Sequence, residues 1–523
     1  MFPQLPKSIN HLIPKLVGPL RDVPAVRGLL SGLIINEFSY STTLRPRPLS
    51  LMSDYTSWES LTDRSYSGRH LPPASDETMA ALPPLADVVA LFRRDEEIKS
   101  TDTSVMFMFF AQWFVDSFLA TDMVDFRRNH SNHEIDLCEI YGLSPSQTDL
   151  LRAHEGGRLK SQLIDGEEYP QFYFQPRDPG AALAVKPEFI GLFDENFVLN
   201  VILGDAPDDR KDSFFAVGLA HGNSTIGNTI MNIVWLREHN RLAGLLAAEY
   251  PEWDDERVFQ TARNVTIVLL LKIVVEEYIK HIGPWDVPVE MVNLIADGER
   301  WNRTNWAAVE FNILYRWHML VPDAIGSGPD EIGPDAVRNN NPLVISEGIE
   351  ALMRHCSNVL AGKIGLFNTP TFLVDRHGDS PSIEERTVQL GRQARLRSYN
   401  EYRVAYGYKA MSSYSELTHD KVVQQRLEAL YGDIDNLEWY VGIFAEGYPD
   451  YMMMGELLTS MVANDAFTQA LTNPLLARHV YSPQTFSPLG LKTIEETTSL
   501  QQIVKRNSRD PDSVYVSFSC SGK

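Results

Sequence analysis

Cysteine is scarce in this chain, with three among 523 residues: Cys138, Cys356 and Cys520. An odd, sparse set cannot build a disulfide framework, so these read as reduced thiols of a cytosolic-type compartment. Positive charge is short as well. Lys and Arg total 47 against 69 Asp and Glu, a net charge of -22. A nucleic-acid binder needs a basic surface to displace counterions, so that class is excluded. Simple electrostatic attachment to anionic lipid is disfavoured too. No apolar run reaches the roughly 20 residues of a membrane span. The longest, residues 265–275, contains Lys272 and reads as a core helix. The N-terminal MFPQLPKSINHLIPKLVGPL lacks a signal-peptide pattern, because Pro and Lys interrupt it and no small-residue cleavage site follows. The expected location is cytoplasmic or peripheral to a membrane. There is no HExxH, no cysteine cluster and no GxxxxGK[ST], so the common zinc and P-loop sites are absent.

What remains is an ordinary globular composition, 44% hydrophobic and 22% charged, in a chain long enough to bury a large core. Helix signals dominate and strands are short, which predicts a mainly α body. Residues 10–38 are Leu/Ile-rich, and Pro14, Pro19 and Pro24 divide them into short helices. Two readings compete: a strap packed on the body, or a segment lying in a membrane interface. Residues 103–121 predict one long apolar helix with two polar exceptions, Gln112 and Asp116, which share a face at i, i+4. Residues 127–180 read as loops and small hairpins. Residues 215–248 open glycine-rich and become a long helix; GLAHGNSTIG lacks the ending and preceding strand of a phosphate loop. Residues 258–282 predict another long helix, with Tyr278 and His281 near its end. Helices resume at 346–361, 381–394 and 419–431, and around 447–461. His130 and His133, in NHSNHE, have a loop-like setting and read as solvated.

The most informative stretch is AVEFNILYRWHMLVPD, residues 308–323. Tyr315 and His318 stand three apart in a run of helical spacing, which places them on one face. A neutral imidazole is a good iron ligand, and a phenol beside a metal centre can be oxidised to a radical. By spacing alone, a buried Tyr and His satisfied by backbone is the better explanation of the pattern.

This segment resembles the proximal-haem and radical-tyrosine segment of cyclooxygenases, the prostaglandin endoperoxide synthases, within the animal haem peroxidase superfamily. DYTSWESL (54–61), MFMFFAQWF (106–114), IDLCEIYG (135–142), WLREHNRL (235–242), NEYR (400–403), LYGDID (430–435) and GLKTIEETTSLQQIV (490–504) follow in the family's order. The likeness runs from about residue 44 to 519. It implies a mainly α haem peroxidase/cyclooxygenase-like catalytic domain over 44–523, with few short strands, behind a helical segment 1–43. It resembles a microbial-type member stripped of the family's secretory signal and Cys-rich module. The likeness also implies haem b as the cofactor; no CxxCH site for covalent c-type haem attachment is present.

The resemblance implies that His318 is the axial iron ligand and Tyr315 the radical tyrosine. Tyr278 matches the residue hydrogen-bonded to that phenol, and Tyr440 a tyrosine reaching the ligand through water. Phe311, Trp317 and Thr468 fall where the family lines its substrate channel, and Gln112 at the distal glutamine. Three positions depart. Asp116 stands where the distal histidine is expected; a carboxylate can move a peroxide proton if burial raises its pKa. An ungapped match puts His221 at an apolar position over the distal face, as a substitute base or as a histidine at a helix start or on the surface. At the substrate mouth, the family's arginine falls on Ser39 or Ser41 and its tyrosine on Trp285, with Arg45 and Arg47 nearby.

The implied activity is haem-dependent oxygenation of a long apolar chain, a fatty acid or similar lipid, with O2 and peroxide as small reactants and no nucleic acid. Membrane contact would run through residues 10–38. Two alternatives stand beside it: a peroxidase with an altered distal site, and a haem-binding protein that has lost peroxide turnover.

Overall fold

The computed structural model describes residues 23–42, 50–122, 124–178, 180–204, 206–283, 289–376, 378 and 380–521. The elements that position the site are helices α1 (Pro24–Ser39), α2 (Val105–Phe114), α3 (Ile226–Glu249), α4 (Asp255–Ile273), α5 (Val309–Leu314), α6 (Ile383–Gln393), α7 (Trp439–Ala445), α8 (Glu456–Leu471) and α9 (Pro483–Glu496). Strands β1 (Lys99–Ser104) and β4 (Leu360–Gly362) pair antiparallel, as do β2 (Ser161–Ile164) and β3 (Glu167–Pro170). The expected mainly α architecture with few short strands is observed. The β2–β3 hairpin turns through Asp165 and Gly166, both at positive φ, the conformation that favours an Asp-Gly pair.

Local signals start the helices. Ser104 accepts from the Phe107 amide at the head of α2, and Thr225 from the Asn228 amide at the head of α3, supplying the oxygen that a helix N-terminus needs. α3 is the central rod: nearly every residue from Ile226 to Ala243 is buried, so it shows no polar face. It packs against α2 and α4, and α4 packs on α9. α8 is wholly buried from Leu457 to Leu471 and lies against α1, α5 and α7.

Several elements differ from expectation. Residues 103–121 are not one helix: Thr103 and Ser104 close β1, α2 stops at Phe114, and Val115–Ser117 form a 3-10 turn that carries Asp116. The predicted 258–282 helix is interrupted. α4 passes into a π-helical turn, Val274–Tyr278, before resuming at Ile279–Ile282. The combined run Asp255–Ile282 is in fact long and apolar enough to cross a membrane, but 83% of its most apolar window is buried within the protein, which makes it a core helix. The helix expected around 447–461 begins only at Glu456, because residues 446–455 run as a loop containing Pro449.

α1 supports the strap reading for residues 24–39. Leu30, Ser31 and Ile35 are buried, α1 packs against α8, and Ser31 accepts from the Glu290 amide at 2.9 Å. Asn464 donates to the Phe38 carbonyl (2.8 Å), Trp301 to Asn36 (2.9 Å), and Arg27 pairs with Glu290 (2.9 Å). Leu29 and Leu33 stay exposed on its outer side.

Gly362 on β4 abuts the segment after His318. A Cβ there would lie 2.0 Å from the Met319 carbonyl oxygen. Gly362→Ala is therefore expected to destabilise the protein by about 1–3 kcal/mol through overpacking. An unchanged calorimetric transition would show that this approach is not tight.

Candidate functional site

The 308–323 segment does not form one helix. α5 ends at Leu314, Tyr315 is its C-cap, and the Trp317 amide bonds back to the Tyr315 carbonyl at 2.8 Å. His318 then opens a 3-10 turn. The expected shared helix face is thus replaced by a tight turn that sends Tyr315 and His318 to different surroundings.

Tyr315 enters an aromatic wall. Its ring centroid lies 5.0 Å from Phe311 and 4.9 Å from Trp317, and Phe118 stacks on Phe311 at 4.8 Å. Tyr278 is fully buried against Phe107 (5.0 Å), Phe110 (5.3 Å) and Phe114 (5.6 Å). The two phenols perturb each other's acidity, although neither hydroxyl completes a normal hydrogen bond among the described residues. Burial pushes both well above the ordinary phenol range, and the charge of Asp465 adds to this at Tyr315. Both therefore keep their proton at neutral pH.

His318 has polar partners instead. Its Nδ1 lies 2.7 Å from Glu384 Oε2. The carboxylate oxygen accepts, so Nδ1 carries the proton and Nε2 keeps its lone pair. The Tyr440 hydroxyl donates to Glu384 Oε1 at 2.7 Å. Tyr440 thus reaches His318 through a carboxylate, where the resemblance implied water. The chain beyond His318 is clamped by buried Arg94, which donates to the carbonyls of Met319 (3.2 Å), Val321 (2.8 Å) and Asn368 (3.0 Å).

A second polar group gathers on α2 and the turn before α3. His221 Nε2 lies 3.1 Å from Asp116 Oδ2. Thr225 donates to Gln112 Oε1 at 3.3 Å. Gln112 is exposed, and the His221 side chain keeps 40% of its surface open, so both can be reached from outside. The turn carrying His221 is held by buried amides. Asn232 donates to the Gly222 carbonyl (2.9 Å), Asn223 donates to the Phe215 carbonyl (3.0 Å), and Asn341 donates to Asn223 (2.6 Å). Burial disfavours the charged imidazole of His221, but the charge of Asp116 and its hydrogen bond together outweigh this and raise its pKa.

Arg316 is near both polar groups: burial lowers its pKa, and the negative charges of Asp116 and Glu384 partly offset this, while its guanidinium donates to Asn312 Oδ1 (2.8 Å), whose amide donates to Thr121 (2.6 Å). Among the described residues it has no ion pair within 4.0 Å.

The remaining sequence candidates divide. Thr468 is buried, with its hydroxyl turned back to the Asn464 carbonyl at 2.7 Å. One turn earlier on α8, Asp465 bonds His70 Nε2 at 2.9 Å. Ser39 is buried and Ser41 caps the Phe38 carbonyl. Trp285, Arg45 and Arg47 lie outside the described residues. His130 pairs with Asp122 near the surface (2.7 Å), as expected. His133 does not fit the solvated reading: it is buried, contacts the Arg64 carbonyl at 2.5 Å and accepts from the Ala307 amide at 3.0 Å. Its positive φ of 67° turns the ring inward, and burial lowers its pKa to about 4. Among the described residues no cluster of three or more metal-ligating side chains is present.

Glu384 was not anticipated. The available signal was its place on the inward face of α6, where it is buried with Thr387 and Val388 at i, i+3 and i, i+4. A glutamate in an apolar stripe needs a partner.

Residues 125–517 match the family model described as animal haem peroxidase. The chain is 32% identical over 507 residues to prostaglandin G/H synthase 1 of Rattus norvegicus, covering 94% of this chain and 79% of the rat protein. It is 28% identical over 522 residues to prostaglandin G/H synthase 2 of Oryctolagus cuniculus, covering 96% and 81%. The solved structure of Oryza sativa fatty acid alpha-dioxygenase shares the fold at a TM-score of 0.71 and 15% identity, over 98% of this chain and 95% of that one. Peroxidase A from Dictyostelium discoideum does so at 0.68 and 19%, over 90% and 99%.

The raised pKa of His221 gives a signed expectation. The stabilisation from its pairing with Asp116 is fully present below the unfolded pKa of about 6.5 and is lost as pH rises through the higher folded value. The His221 ring resonances should titrate above about 6.5, and Asp116→Asn should bring that midpoint down; coincident midpoints would refute the coupling.

Proposed function

This chain belongs to the animal haem peroxidase family and is an oxidoreductase, and from that premise we propose that it is a haem-dependent oxygenase of long apolar chains, with a fatty acid as the substrate class. The observation that carries this reading is Tyr315. It is a buried, protonated phenol in an aromatic wall, three residues before an imidazole whose Nδ1 is already engaged.

The residues present suit haem b. His318 offers the Nε2 lone pair from a held ring, and Asp116 and His221, with Gln112 one helical turn before Asp116, form a separate polar group. Bound haem would supply the oxidising equivalents and the iron site for peroxide. His221 and Asp116 then share the task of moving the peroxide proton, with Asp116 orienting the ring and favouring its protonated form. Gln112 and Thr225 hold the neighbouring polar contacts.

Tyr315 performs the step on substrate. Once it has lost a hydrogen atom, its phenoxyl oxygen takes one from a substrate C–H bond. The O–H bond re-forms, a carbon-centred radical remains, and O2 adds to it. Phe311, Trp317 and Phe118 surround the phenol with apolar surface, which suits an apolar chain and excludes water. Tyr278 limits the directions in which Tyr315 can turn. Asp465, bonded to His70, and Thr468 lie on α8, which packs against α5.

Haem-loaded protein should consume O2 with polyunsaturated fatty acids, and Tyr315→Phe should lower that uptake by more than about 10²-fold while leaving the Soret band in place. Full uptake by the variant would sink the oxygenase reading. Peroxide-driven oxidation of a phenolic donor that survives Tyr315→Phe, with no lipid uptake in either protein, would instead identify a peroxidase. In that assay His221→Ala should slow peroxide-dependent haem oxidation by about 10²–10⁴-fold; an unchanged rate would remove His221 from the proton path.

A further inference from the structure

His318, Glu384 and Tyr440 form a continuous chain of two hydrogen bonds, both 2.7 Å long. Glu384 has no solvent exposure and Tyr440 only 4%, so bulk water does not compete with either partner. The carboxylate sits in the first turn of the 11-residue α6, facing the positive end of a helix dipole. Arg316 adds a positive charge within its electrostatic range. A negative group is thus held rigidly against the imidazole nitrogen remote from any metal. Such a partner raises the basicity of a ligating imidazole and stabilises the higher oxidation state of the metal it binds.

We propose that Glu384 is a positioning residue that strengthens electron donation from His318 to iron and lowers the potential of the haem centre, with the Tyr440 hydroxyl moderating the strength of that donation. The inference rests on His318 being the haem ligand, as in the function proposed above. It adds a division of labour. The proximal side supplies a carboxylate-backed imidazole, while the distal side works with an Asp116–His221 pair. A tyrosine alone at that distance would give His318 a weaker partner; the carboxylate is what changes the charge on the ring.

The chain has a signed signature. Glu384→Gln keeps the length and an oxygen acceptor but removes the charge. Tyr440→Phe removes a donor that draws charge away from the carboxylate. In the haem-loaded full chain, Glu384→Gln should raise the Fe(III)/Fe(II) midpoint potential, lower the Fe–N(His) stretching frequency seen by resonance Raman, and weaken haem binding by about 10–100-fold. Tyr440→Phe should move the potential and the stretching frequency in the opposite directions from wild type. A purely structural role for Glu384 would loosen the site in both variants and shift both readouts the same way, which would overturn the inference. So would a Glu384→Gln potential equal to wild type. Should Glu384→Gln fail to accumulate as folded protein, Tyr440→Phe decides alone: a lowered potential supports the proposal, and an unchanged or raised one overturns it. His318→Ala tests the ligand separately. If its Soret spectrum equals wild type, the ligand assignment falls and this inference with it. A ligand-dependent spectrum with an unmoved Glu384→Gln potential refutes the inference alone.

Discussion

A carboxylate without solvent must be satisfied by its neighbours, and Glu384 is satisfied by two that come from different parts of the chain. Through it, the turn after α5, the first turn of α6 and the start of α7 are tied at one point. Removing one partner of a buried charge is costly, about 3–5 kcal/mol in comparable settings, so the geometry of His318 is over-determined. Arg94 adds a second restraint by occupying the carbonyls just downstream, and Gly362 a third by close packing. The reactive segment is irregular backbone, and these three restraints take the place of helical hydrogen bonding.

The opposite polar group is built on another principle. Gln112 is exposed on α2 and His221 is half-buried, and the rigidity of His221 comes from beneath, where buried asparagines satisfy the short turn that carries it. This asymmetry fits two reactants of different size. A small polar oxidant needs a polar, reachable face with groups that exchange protons. The hydrogen-atom step proposed above needs a dry wall, and the rings around Tyr315 and Tyr278 are of that kind.

Much of this was legible in the sequence, and the reasons for the rest are physical. The helical class and the roles suggested for Tyr315 and His318 follow from ordered blocks whose spacing survives divergence. The juxtaposition of Asp116 with His221 was visible only as two departures, one on each of two helices, and nothing in one dimension says that their atoms meet. Glu384 looked like ordinary helix-start chemistry because acidic residues favour first turns; Glu385 beside it is buried as well, and what separates the two is the partner, exposed Arg376 for Glu385 and His318 with Tyr440 for Glu384. The break in helix at Tyr315 escaped notice because apolar periodicity continues through a tight turn as readily as through a helix. His133 was misjudged for a related reason: a polar run predicts exposure, but a single residue at positive φ can turn its ring into the core.

The π-helical turn at Val274–Tyr278 carries a further consequence, for how this protein can vary. A π turn holds one more residue than the α turn it replaces, so everything beyond it is rotated by about 100° relative to an uninterrupted α-helix. Tyr278 points at Tyr315 because of that extra residue. Losing any one residue between Asp255 and Tyr278 would let the helix relax to regular winding and swing the phenol out of the aromatic wall, with the hydrophobic composition almost unchanged. The length of this helix is therefore inherited information in its own right, and substitutions there should be tolerated far more readily than insertions or deletions.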